Sequence, residues 1–150
     1  MNTLAIINAT EKHAAEVARL FDAYRVWYGK ASDADGALNY ITQRLRQNES
    51  VIFLATVDGA AAGFVQLYPL FSSISMGPVW ILNDLFVAED FRQQGIGTLL
   101  LETATEFGRE SGALRLHLET GPQNFGAQKL YEAHGWKKDD EFFCYSLELS

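Results

Sequence analysis

The sequence predicts one α/β domain. Strand-length apolar runs alternate with segments of helical periodicity along the whole chain. The middle holds three successive strand signals parted by turn residues. The last of these leads through a short polar turn into a glycine-marked helix start. No repeat, low-complexity tract or linker interrupts this order, so residues 1–150 read as a single domain.

Leu4–Asn8 is a short apolar run and the expected first strand. Thr10 can cap a helix after it. Ala14, Val17, Ala18, Phe21, Tyr24 and Tyr28 then share one helical face. Residues 29–35 break that pattern. A second helix is expected over Asp35–Gln47, with Leu38, Ile41 and Leu45 inward. Val51–Val57 is β-branched and apolar, which predicts a buried strand. Asp58-Gly59 is a hairpin turn signal. The return strand is expected over Ala62–Leu70 and the next over Trp80–Val87. From Gly95 to Ser111, Ile96, Leu99, Leu100, Thr103, Ala104 and Phe107 repeat at helical spacing. Gly112 stands where a helix ends on glycine. Leu114–Glu119 alternates, leucines against Arg115, His117 and Glu119. Asn124 can cap a short helix with Ala127, Leu130, Tyr131 and His134 on one face, and Gly135 ends it. Phe142–Leu149 is expected to close the chain as a strand.

Bulk properties exclude several classes. Hydrophobic residues make up 48% and charged residues 21%, as in a globular domain. The longest apolar runs are strand-length, so no membrane partner is expected. The N-terminus lacks a basic stretch followed by an apolar one, which predicts a cytoplasmic location. A net charge of −7 argues against a nucleic-acid partner, because phosphate contacts need a basic face. The same charge suits a cationic substrate. The single cysteine, Cys144, cannot form an internal disulfide and is expected to be a packed thiol rather than a nucleophile. His13, His117 and His134 lack metal-ligand spacing, so no metal is expected.

The chemistry is concentrated in Trp80–Leu101. After the strand ends near Val87, Arg92-Gln93-Gln94-Gly95-Ile96-Gly97-Thr98 opens the strongest helix of the chain. A helix start presents unpaired N–H groups and positive dipole, and glycines let a phosphate approach the backbone. A Walker loop would need Lys and Ser or Thr after the last glycine, and a dinucleotide loop a third glycine at Leu100. Neither is present.

Arg92-x-x-Gly95-x-Gly97 after an apolar strand resembles the acetyl-CoA-binding signature of the GNAT acetyltransferase superfamily. Asn124-Phe-Gly-Ala127-Gln-Lys-Leu130-Tyr131-Glu-Ala-His-Gly135-Trp136 is similar to that superfamily's Asn-x-x-Ala-x-x-Leu-Tyr-x-x-x-Gly-Phe segment. The order of elements matches over nearly the whole chain. The stretch around Asp84 looks most like the polyamine and histone acetyltransferase branch, which carries an acidic pair there. Here the first member is Asn83.

The resemblance implies a mixed, mostly antiparallel twisted sheet flanked by helices, with strands four and five parallel and splayed. It implies acetyl-CoA as cosubstrate. Its pantetheine arm would meet the backbone of Leu85, Phe86 and Val87. Its pyrophosphate would rest on Arg92, Gln93, Gln94, Gly95, Ile96, Gly97 and Thr98, and Asn124 would help hold the arm. Tyr131 would protonate the leaving thiolate. Asp84, alone or through water, would take the amine proton. Tyr24, Tyr28, Asp84 and Glu119 are the candidate acceptor-binding residues, with Glu119 a weaker candidate base. The expected acceptor is a small polyamine-like primary amine. A protein lysine or N-terminus, or a CoA-binding sensor without turnover, are the alternatives. The resemblance also implies a homodimer.

Overall fold

Residues 2–150 are described in a computed structural model. Backbone contacts divide the chain into two units, residues 1–118 and 119–150.

The first unit is built on a five-stranded sheet, β1 (Leu4–Asn8), β2 (Val51–Val57), β3 (Ala60–Ser72), β4 (Gly77–Val87) and β5 (Leu116–His117), in that spatial order. The first four strands pair antiparallel and β4–β5 pair parallel. Asp58 and Gly59 turn β2 into β3 with φ of 50° and 83°. That two-residue left-handed geometry matches strand twist, and Asp-Gly supplies it at low steric cost.

Helices α1 (Ala14–Trp27) and α2 (Ala34–Arg46) pack together, while α3 (Ile96–Glu110) packs against β2, β3 and β4. Val17, Ala18 and Leu20 of α1 and Ala37 and Ile41 of α2 bury against Ile52, Leu54, Phe64 and Phe86. Side chains alternate across a strand, so Phe53 takes the other face and meets Phe107 of α3 at 5.6 Å. Asp33 caps α2 by accepting from the Gly36 N–H at 3.0 Å. On α2 it is Ala37, not Leu38, that enters the core, and Leu38 is exposed.

Three predicted boundaries change. β3 and β4 are longer than expected, because each continues to pair the other as far as Ser72↔Gly77. The strand expected over Leu114–Glu119 forms only at Leu116–His117, where β4 offers Trp80 and Ile81 as partners. β4 itself runs on to Val87, so its side toward β5 is unpaired after Ile81. The parallel pairing of strands four and five is as the resemblance implies.

The second unit holds α4 (Phe125–Ala133), capped by Asn124, whose Oδ1 accepts from the Ala127 N–H at 3.3 Å. The closing strand expected over Phe142–Leu149 is not formed. A strand needs a neighbour for its N–H and C=O groups, and no ladder among the described residues extends beyond His117. The alternating pattern of that segment is present, but its large apolar side chains are exposed. Cys144 is likewise exposed rather than packed.

Candidate active site

One carboxylate is buried in the first unit, and its surroundings follow from an irregularity in the sheet. Gln66 of β3 faces Asp84, and Leu67 faces Leu82, so Asn83 is an extra residue on β4. Such a bulge leaves two residues opposite one and re-aims side chains. Asn83 and Asp84 accordingly line the same cavity, and the Asn83 amide donates to Asp84 Oδ1 at 3.1 Å.

Asp84 is 5% exposed. Gln66 Nε2 donates to its Oδ2 at 2.8 Å, and Gln66 Oε1 accepts from Ser50 Oγ at 2.8 Å. The Tyr24 hydroxyl is a further donor to it. Gln66, Asn83 and Tyr24 each point a donor at the carboxylate, an arrangement suited to its charged form. Burial acts the other way and is stronger, so the Asp84 pKa stands above its ordinary value, with Gln66, Asn83 and Tyr24 opposing the rise. Tyr24 is pushed well above the usual phenol range, first by burial and then by the Asp84 charge. It stays a hydroxyl donor.

The cavity over Asp84 measures about 410 Å³ and is walled by aromatic rings from α1, α2 and β3. Phe21 stacks on Tyr40 at 5.4 Å, and the Arg44 guanidinium lies over the Tyr40 ring at 4.4 Å from its centre. Tyr40 and Tyr68 share a 2.6 Å hydroxyl hydrogen bond. Tyr24 meets Tyr28 edge-on at 5.0 Å. The lining offers a cation rings, hydroxyls and the Asp84 carboxylate, and it also includes the cations Arg25 and Lys30.

The glycine-marked loop has the geometry of an anion cradle. Gln93 and Gly95 both adopt left-handed backbone, φ 63° and 79°, before α3 begins at Ile96. The Leu99 N–H bonds back to Gly95 at 3.1 Å, which leaves Ile96, Gly97 and Thr98 as the first-turn donors. A Cβ on Gly95 would meet nothing within 4 Å, so the loop faces open space. Arg92 braces the loop, its Nε donating to the Val87 carbonyl at 2.9 Å. The unpaired side of β4 and these donors fit a pantetheine arm and a pyrophosphate. Gly95→Val places a branched side chain at positive φ, a strain of roughly 1–2 kcal/mol, and fills the approach. CoA affinity measured by calorimetry is expected to fall about 10-fold or more. Unaltered affinity would remove the phosphate from this loop.

Of the predicted site residues, Tyr24, Tyr28 and Asp84 come together in one cavity. Leu85, Phe86, Val87 and residues 92–98 form the β4 end and the loop after it. Glu119, Asn124 and Tyr131 belong to the second unit. There Glu119 is exposed, and Tyr131 is half-buried on α4 with its ring 5.8 Å from Trp136. Sequence reading missed Ser50, Gln66 and Tyr40. Gln66 in the apolar run Phe64–Leu67 is a polar residue out of place, and that was the available signal. Among the described residues no three His, Cys, Asp or Glu side chains cluster as metal ligands, and no helix is long and apolar enough to cross a membrane.

A family model described as the acetyltransferase (GNAT) family matches residues 13–136. The chain is 43% identical over 144 residues to an uncharacterized N-acetyltransferase of Bacillus subtilis, covering 96% of this chain and 97% of that one. The crystal structure of a probable acetyltransferase, 43% identical, aligns with a TM-score of 0.92 over 97% of this chain and 98% of that one. An aminoglycoside N-acetyltransferase in complex with CoA, 25% identical, aligns with a TM-score of 0.79 over 98% and 96% of the two chains.

Proposed function

Because the chain belongs to the GNAT acetyltransferase family, we propose that it acetylates the primary amine of a small molecule seated in the tyrosine-walled cavity, with Asp84 receiving the amine. The enzyme class itself, an acetyl-CoA-dependent N-acetyltransferase, follows from the family and the named relatives. The observation that carries the acceptor site is the convergence of Gln66, Asn83 and Tyr24 on one buried carboxylate at the cavity.

An amine arrives protonated, and only its free base is a nucleophile. Asp84 can hold the ammonium and accept its proton directly or through a water. Its raised pKa makes it a better acceptor than an ordinary carboxylate. Acetyl-CoA supplies the acetyl thioester, and the products are an amide and CoA with a free thiol. The donors of residues 96–98 and the free side of β4 hold and orient that cosubstrate. We assign Tyr131 as the acid that returns a proton to sulfur. The support is its hydroxyl chemistry and its place in the matched Asn124–Trp136 segment, inside residues 13–136. Cys144 has no role in this scheme.

Polyamines and aminoglycosides both present primary amines, and the carboxylate and rings suit either. The test is CoA-thiol release from acetyl-CoA with polyamines, aminoglycosides, amino acids and a lysine-rich peptide. Turnover is expected with one class of small amine above the peptide. Binding of acetyl-CoA without turnover of any amine would replace this reading with that of a CoA-binding sensor.

A further inference from the structure

We propose that the acceptor carries its own anionic group, as an amino acid does, and that Arg25 and Lys30 receive that group while Asp84 receives the amine. This rests on the assignment of the tyrosine-walled cavity as the amine site.

The cavity is lined by one carboxylate and two cations, Asp84 against Arg25 and Lys30. Its local balance is thus positive, in a chain whose net charge is −7. Among the described residues neither cation forms an ion pair. The acidic residue nearest Arg25 in the chain, Asp22, feels its charge but forms no ion pair with it, and both carboxylate oxygens accept from other groups. Its Oδ2 accepts from Ser32 Oγ at 2.6 Å and its Oδ1 from the Asp33 N–H at 2.8 Å.

The position of the two cations is built into the end of α1. The Gly29 N–H donates to the Val26 carbonyl and the Lys30 N–H to the Arg25 carbonyl, both at 2.9 Å. This is the doubled bond of a helix stop on a left-handed glycine, and Gly29 has φ 93°. The bond from residue 30 to residue 25 folds Lys30 back over the turn that carries Arg25. Both cations also stand at the negative end of the helix dipole.

A polyamine or aminoglycoside bound by one ammonium at Asp84 would bring further positive charges past Arg25 and Lys30, which repel them. An amine with a carboxylate meets opposite charge at both ends. The volume of about 410 Å³ admits a molecule of amino-acid size with an apolar body against the rings.

The experiment compares amines that differ only in one group, ω-amino acids and amino acids against their carboxamides, with spermidine alongside. In the wild-type enzyme kcat/KM is expected to favour the carboxylate over the carboxamide by roughly 10- to 100-fold, the scale of a charged hydrogen-bonded contact. In Arg25→Gln/Lys30→Gln that ratio is expected to fall toward one, and spermidine to gain relative to the amino acid. High salt is expected to narrow the wild-type ratio. Equal use of carboxylate and carboxamide, preference for spermidine, or an unchanged ratio in the double variant would overturn the proposal while leaving amine acetylation standing. Turnover of no amine would overturn both readings together.

Discussion

Asp84→Asn is expected to lower kcat/KM for the amine by roughly 10²- to 10⁴-fold, the usual range for a general base. The same change removes a buried charge, and with it a pH dependence of stability. Burial raises the Asp84 pKa above the ordinary 3.8, so the folded chain holds this proton more tightly than the unfolded one. Stability therefore declines as pH rises through the window between 3.8 and the raised value, and the cost is fully present above it. Below 3.8 the group is protonated in both states and the cost is absent. The melting temperature of Asp84→Asn relative to wild type is thus expected to rise from pH 4 to pH 8. Activity has the opposite dependence. The ionised form is the base, so wild-type kcat/KM falls as pH drops through the raised pKa, and that limb disappears in the variant. CoA affinity serves as the control for an intact fold. Unchanged kinetics with CoA still bound would make Asp84 a structural carboxylate satisfied by Gln66, Asn83 and Tyr24.

Tyr131→Phe is expected to lower kcat by roughly 10²-fold or more while CoA affinity stays within about 2-fold. The phenyl ring keeps the contact with Trp136, and the backbone bonds that Tyr131 accepts from His134 and Trp136 are independent of the hydroxyl. Loss of packing is therefore separated from loss of the O–H donor. A thiol leaves more readily than its thiolate, so the deficit should shrink with thioesters whose thiol is more acidic. Turnover equal to wild type would take the acid role away from Tyr131. A parallel rise in the CoA dissociation constant would make it a binding residue instead.

The elements and the anion loop were legible in the chain because they depend on local chemistry. Val51–Val57 and Leu4–Asn8 form as read, since apolar β-branched runs and an Asp-Gly turn specify strand and hairpin within a few residues. Gly112 takes the left-handed backbone that its position called for, and Asn124 caps α4. The two spaced signatures carried the family. Asp84 stood out because a carboxylate in an apolar strand is costly without a partner.

What the sequence left open depended on long-range pairing. Phe142–Leu149 alternates as a strand does, yet alternation only offers a face, and a ladder partner decides whether a strand forms. Leu114–Glu119 shortened to two residues for the same reason. The Asn83 bulge is a mismatch between two strands, invisible in either alone, and it turns Asn83 and Asp84 toward one cavity. Ser50 reaches Gln66, and Gln66 reaches Asp84, across sequence separations of 16 and 18 residues only because β2, β3 and β4 are neighbours. The chain by itself determined the glycine-marked loop before α3 and the presence of a carboxylate in an apolar strand. The tertiary structure decided which donors surround that carboxylate and which cations share its cavity, because those choices are set by strand register and by how α1 ends.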